Sequence, residues 1–247
     1  MERLGRMDVN TSLQASFSER YRRQTMLPEI GEAGQRRLSS KKVLVVGAGG
    51  LASPILYYLV ACGVRQIGIV DFDTVSLSNL QRQILYREED LGRPKAIVAA
   101  ERLRKLDFAC SPVAYNEPFS AENAMRIAAG YDLLIDGCDN LATRYLMDET
   151  AAALSIPYLY GAVSEFTGQT SLFHHNGSGG YRDLFADYDP ASDRSVVGVL
   201  GATAGVIGSF MAAEAVKVLL GLPSTLSGKI LRVNTLTLDI DLFDIAP

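Results

Sequence analysis

Cysteine and histidine are scarce in this chain. It has three cysteines, Cys62, Cys110 and Cys138, and two histidines, His174 and His175. The cysteines lie too far apart for a disulfide framework, which points to a reducing cytoplasm. Three scattered thiols and two adjacent histidines cannot supply four zinc ligands at ordinary spacing, so no zinc is expected. Basic charge is in deficit as well. The 24 Lys and Arg stand against 28 Asp and Glu, for a net charge of −4 and a pI of about 5.3. That balance excludes nothing structural, but it offers no footprint for duplex nucleic acid or an anionic membrane. No uninterrupted apolar run reaches the roughly 20 residues of a membrane span. The N-terminus is polar and mixed in charge, unlike a secretory signal.

What is there is ordinary globular composition: 247 residues, 48% hydrophobic and 21% charged. The length suffices for one large core. Residues 1–17 have no clear period and read as a disordered arm, and 18–247 read as a single domain. Ser18 is a good helix N-cap, and Gly31–Ser39 reads as a short amphipathic helix. Strands are expected at Lys42–Val46, Gln66–Val70, Ser111–Tyr115, Asp132–Ile135 and Pro157–Ala162. Helices are expected between them at Leu51–Cys62, Arg93–Leu106, Ala121–Ala129 and Asn140–Leu154. This alternation predicts an α/β fold with a doubly wound, mostly parallel, Rossmann-like sheet. Gly168–His174 then reads as a strand, and Asn176–Arg194 as a long loop. A small-residue helix, Gly198–Leu220, follows. Two strands, Lys229–Asn234 and Thr237–Phe243, are expected to pair antiparallel.

Three clusters carry chemistry. Gly47-x-Gly49-x-x-Ala52 joins the first strand to a helix, as in a phosphate-binding turn. The first glycine permits the tight turn, the second lets a phosphate reach the backbone, and the small third residue lets helix and strand pack closely. Gly50 and Leu51 complete that turn, whose helix N-terminus offers N–H groups to an anion. Asp71 and Asp73 end the next strand, where an acid can bond ribose. Asn79, Arg82, Gln83 and Lys95 follow. An arginine and a lysine near a nucleotide suit a triphosphate better than a dinucleotide, though spacing alone leaves a solvated polar loop equally open. The third cluster, Asp136-Gly137-Cys138-Asp139-Asn140, ends the fourth strand. Asp139 there can hold Mg²⁺ or cap the following helix, and both readings stay open.

Together these clusters resemble the MoeB/ThiF/HesA family, bacterial relatives of ubiquitin-activating enzymes. The likeness opens at Arg20-Tyr21-Arg22-Arg23-Gln24. It continues through Gly47–Leu51, Asp71–Asp73, Ser78–Gln83, Gly92–Ala96 and Asp136–Asn140. It ends with Gly198–Gly201 and Gly205–Ser209. The resemblance implies an ATP-dependent adenylyltransferase that activates the C-terminal glycine carboxylate of a ubiquitin-like sulfur-carrier protein. It further implies that Asp71 binds ribose, that Asn79, Arg82 and Lys95 grip phosphates, and that Asp139 holds Mg²⁺. It implies a homodimer in which Arg23 serves the other subunit's site. A peptide with a C-terminal glycine is the alternative substrate, and an NAD-dependent oxidoreductase is the competing class.

Two departures from the family pattern stand out. Many relatives hold zinc with two Cys-x-x-Cys pairs; here the segment similar to the first reads Tyr181-Arg182-Asp183-Leu184-Phe185, and both cysteine positions have gone. Many also carry a cysteine four residues before the GVLG-like segment, where this chain has Arg194. No covalent intermediate is therefore expected in that loop. Cys138 reads as a small buried residue rather than a substitute nucleophile.

Overall fold

The computed structural model describes residues 9–186 and 197–245, with side chains from residue 17 onward. Residues 1–8 and Arg194 lie outside the described residues, so the start of the arm and the missing loop cysteine are not seen. Helix α1 spans Val9–Thr25, beginning nine residues before Ser18, and α2 spans Gly31–Ser40. Strand β1 (Lys42–Val46) leads into α3 (Ala52–Ala61), and β2 (Gln66–Val70) follows. Helix α4 covers Lys95–Leu106, β3 Ser111–Tyr115, α5 Ala124–Ala128 and β4 Leu133–Asp136. Helix α6 covers Leu141–Leu154, β5 Tyr158–Ser164 and β6 Thr167–Phe173. A single turn, α7 (Tyr181–Leu184), precedes α8 (Gly201–Leu220), β7 (Lys229–Asn234) and β8 (Asp239–Asp244).

The eight strands form one sheet in the order β3-β2-β1-β4-β5-β6-β7-β8. The first five are parallel, and β6, β7 and β8 continue it antiparallel, as the patterning predicts. The Val- and Leu-only run Val43–Val46 is buried on both faces, as a central parallel strand requires. Order reverses at β1, whose neighbours β2 and β4 lead away on opposite sides. Val46 lies opposite both Val70 and Asp136, so three strands end at one level. Ligands in open α/β sheets bind in that crevice.

Glycines decide how closely the elements approach. Gly63 ends α3 at φ +105°, where a Cβ would lie 2.4 Å from Gln35 Nε2. Gly208 lets α8 cross α3: a Cβ there would lie 2.6 Å from the Leu51 carbonyl oxygen. Helix α8 is long and apolar enough to cross a membrane by length and composition, and 56% of its most apolar window is buried in this fold. It packs on the sheet, with Met211 against Gly161 of β5 and Ile207 against Gly168 of β6.

Two local expectations differ from what forms. His174 and His175 lie past the end of β6, and His174 adopts φ +54°. Each has a partner: His174 Nε2 is 2.7 Å from Asp148 Oδ1, and His175 Nδ1 is 2.7 Å from Ser227 Oγ. The helix expected at Ala121 begins at Ala124, because the Asn123 side chain turns back to accept the Ser120 N–H.

Candidate active site

A cleft of about 820 Å³ opens at the carboxyl ends of β1, β2 and β4. Gly47, Gly49, Gly50, Leu51, Asp71, Asp73, Arg82, Gln83, Lys95 and Asp139 all line it. These residues span nearly a hundred positions in sequence, and the shared strand level gathers them. Asn79 does not line the cleft, although its carbonyl accepts the N–H groups of Arg82 and Gln83 and so shapes the turn that carries them. Arg23 is exposed on α1 and does not reach the cleft of its own chain.

The floor is backbone against backbone. Gly47 sits at φ +89°, and a Cβ on it would lie 2.4 Å from the Gly137 carbonyl. A Cβ on Gly137 would in turn meet the Gly47 oxygen at 2.5 Å. Only glycine fits either position. The Gly47 and Gly137 N–H groups donate to Val70 and Val46. Among the described residues, no acceptor meets the N–H of Gly49 or Gly50. These are free donors at the start of α3.

Asp71 organises this turn. Its two oxygens accept the Ala48 N–H at 2.7 Å and the Asp73 N–H at 2.8 Å. Burial raises its carboxyl above the usual range, against the opposing pull of Ala48 and Lys95. Tyr86 braces the turn from below by donating to the Ala48 oxygen at 2.8 Å.

Two cations approach from one side. Lys95 is only 5% exposed, and its Nζ lies 2.9 Å from Asp73 Oδ2. The Arg82 stem lies over Gly50, 3.2 Å from where a Cβ would stand, and Nη1 donates to the Ser78 oxygen. Among the described residues Arg82 has no carboxylate partner. The Gln83 side chain is buried beside Gly49, and its Oε1 is unpartnered. Such an orphaned group beside free amides fits a polar ligand laid across the turn.

At the end of β4 the two readings of Asp139 separate. Asn140 is the N-cap of α6, its side chain accepting the Thr143 N–H at 2.9 Å. Asp139 is exposed, faces the cleft and has no hydrogen-bond partner among the described residues. It is thus available to a hard cation.

The sequence did not mark Asp136 and Arg144 as a unit. Asp136 is fully buried and accepts from Arg144 Nε at 3.0 Å, Tyr158 Oη at 3.2 Å and the Cys138 N–H at 2.9 Å. Arg144 also donates to the carbonyls of Cys138 and Gly161, tying β4 to β5 under the cleft. Burial opposes its charge, but Asp136 together with Cys138, Tyr160 and Tyr158 outweighs burial and keeps it protonated. Burial, then Asp136, pushes the Cys138 thiol well above its usual range, so it is no thiolate at neutral pH. A lone arginine on a helix gives no signal of this role; burial reveals it. Phe72, 65% exposed, lies at the cleft edge between Asp71 and Asp73.

Residues 21–247 match the profile of the ThiF family. The chain belongs to the ThiF family. It is 46% identical over 226 residues to the sulfur carrier protein adenylyltransferase of Thermus thermophilus, covering 88% of this chain and 83% of that relative. It is 43% identical over 229 residues to the adenylyltransferase and sulfurtransferase MOCS3-1 of Zea mays, covering 92% of this chain but 49% of that longer protein. Among solved structures, E. coli MccB crystallised with ATP superposes with a TM-score of 0.81 at 18% identity, over 98% of this chain and 80% of that one. At that identity the likeness shows the fold.

Proposed function

We propose that the chain adenylates the C-terminal glycine carboxylate of a ubiquitin-like sulfur-carrier protein with ATP, releasing pyrophosphate. It is an adenylyltransferase of the ThiF family, and its Thermus relative is named for action on a sulfur carrier protein. The carrying observation is the convergence of unpaired Arg82, buried Lys95 and free Asp139 around the open amides of Gly49 and Gly50.

A carrier carboxylate oxygen attacks the α-phosphorus of ATP. The bond from that phosphorus to the bridging oxygen breaks, and pyrophosphate leaves with the electron pair. No proton moves and no protein nucleophile is needed, so catalysis rests on positioning and charge neutralisation. In this reading the Gly49 and Gly50 amides cradle phosphate, and Asp71 and Gln83 face the nucleoside side. Arg82 and Lys95 take up charge on the leaving pyrophosphate, with Asp73 holding Lys95 in place beforehand. Asn79 acts by holding the Arg82 turn. Asp139 would hold Mg²⁺, which supplies further charge neutralisation at the phosphates.

Homodimerisation belongs to the same proposal. Helix α8 exposes Ala202, Val206, Phe210 and Ala213 at helical spacing, an apolar stripe that a second copy would cover. Arg23, which does not reach its own cleft, would serve the partner's. Cytoplasmic residence is in line with the free thiols of Cys62, Cys110 and Cys138.

ATP–pyrophosphate exchange tests the reaction. Exchange that needs a carrier ending in Gly-Gly, and is lost when the terminal glycine is deleted, is the expected result. Exchange with a short glycine-ended peptide and not with any carrier would favour the peptide alternative. No exchange with either, together with NADH binding by fluorescence, would overturn the proposal.

A further inference from the structure

A second cavity, of about 540 Å³, lies at the amino-terminal edge of the sheet, opposite the cleft. That size is ordinary for a small-molecule site. Its walls come from the starts of β1 and β2, from β3 and from the loop 129–131. Two cations line it, Lys42 and Arg65, and no carboxylate does. Neither cation forms an ion pair among the described residues, whereas neighbouring Arg20 and Lys41 are paired with Asp107 and Asp132. Asp132, the carboxylate next to Lys42, is already occupied by Lys41 Nζ at 2.6 Å and by the Lys42 N–H at 2.8 Å.

The cavity is built rather than incidental. Arg65 Nε is buried with no hydrogen-bond partner. The guanidinium is held over the Phe17 ring, 5.5 Å from its centroid. Tyr131 crosses β2 only because residue 68 is glycine: a Cβ there would lie 2.3 Å from the Tyr131 hydroxyl. That hydroxyl meets Tyr115 Oη at 3.3 Å, and both tyrosines line the cavity. Burial, then the Tyr115 hydrogen bond, raises the Tyr131 phenol above its usual range, so Tyr131 keeps its proton. A guanidinium, an ammonium and a hydroxyl pair, without a carboxylate, match an anion with several acceptor oxygens.

We propose that this cavity binds a small phosphate-bearing anion through Lys42, Arg65 and the Tyr115–Tyr131 hydroxyls, independently of the nucleotide cleft. The volume exceeds what a bare phosphate fills, so a phosphorylated small molecule is the expected occupant.

The test is calorimetric titration of the full chain with inorganic phosphate and, separately, with glucose 6-phosphate. The proposal expects one site that survives in the cleft variant Arg82→Gln/Lys95→Gln. It expects at least a roughly tenfold loss of affinity in Lys42→Gln/Arg65→Gln. Tighter binding of glucose 6-phosphate than of phosphate identifies a phosphorylated molecule as the occupant, and equal binding identifies phosphate itself. If the double variant loses its native circular dichroism, Lys42→Gln alone serves, since Lys42 is exposed, and should weaken binding measurably. No binding to the unmodified chain, or loss only in the cleft variant, would overturn the proposal.

Discussion

Asp139 and Asn140 stand side by side at the end of β4, and only Asn140 caps a helix. Their substitutions should therefore separate. Asp139→Ala is expected to lower ATP–pyrophosphate exchange by roughly 100-fold or more, since a charge-neutralising group is lost from the site. Its urea midpoint should not move, because the side chain is exposed and makes no described bond. Asn140→Ala should instead cost about 1 kcal/mol of stability, the usual worth of an N-cap. Unchanged exchange in Asp139→Ala would remove it from the chemistry. In sequence these two roles could not be told apart, because an acid and an amide at a strand end both read as caps. The glycine turn was legible because only glycine tolerates φ +89° with a carbonyl 2.4 Å from its missing Cβ. Arg144 was illegible: the same residue on an exposed helix face would have the same neighbours in sequence.

At the scale of elements, α7 is anchored by two carboxylates, Asp148 and Asp183. Asp148 on α6 accepts the Tyr181 N–H at 2.7 Å, the Arg182 N–H at 3.2 Å and His174 at 2.7 Å. Gly180 N–H is met by Asp183 at 2.7 Å. Carboxylates thus anchor the segment where many relatives of the family place a cysteine pair. Burial alone would raise the Asp148 carboxyl, but His174 and the two amides outweigh burial and hold it below its ordinary value. The folded value is the lower one, so the stabilisation is in place above the usual carboxylate range near pH 3.9. It fades as pH falls through the folded value. Tyr181 and Phe185 of this segment line the cleft, so its loosening should reach substrate binding. Asp148→Asn should cost about 1–3 kcal/mol in urea denaturation, as buried donors lose a charged acceptor. It should also raise the KM for the carrier. In the unmodified chain, hydrogen exchange at Tyr181 and Arg182 should quicken, relative to the intrinsic rate, only in acid. Equal protection at acid and neutral pH would dismiss Asp148 as the anchor. The helix–strand alternation was legible in sequence; this anchor was not, because Asp148 and Tyr181 are 33 positions apart.

For the whole molecule, the proposed dimer makes a distinct prediction. Arg23→Ala and Asp139→Ala should each inactivate exchange, and mixing the two should restore it. A mixed dimer carries both lesions around one cleft and leaves the other intact. Random reassortment of equal amounts should therefore recover about a quarter of the unmodified activity. No recovery, with subunit exchange verified by mass spectrometry, would show that Arg23 does not act across subunits. The sequence by itself determined the parallel α/β frame, the phosphate turn and the family, because strand burial, tight glycine geometry and local spacing are written in neighbouring residues. Only the tertiary structure decided that Asp136 and Arg144 form a buried pair and that Lys42 and Arg65 line a second cavity. Sheet order and burial make those juxtapositions, and they join residues that local patterning treats as strangers.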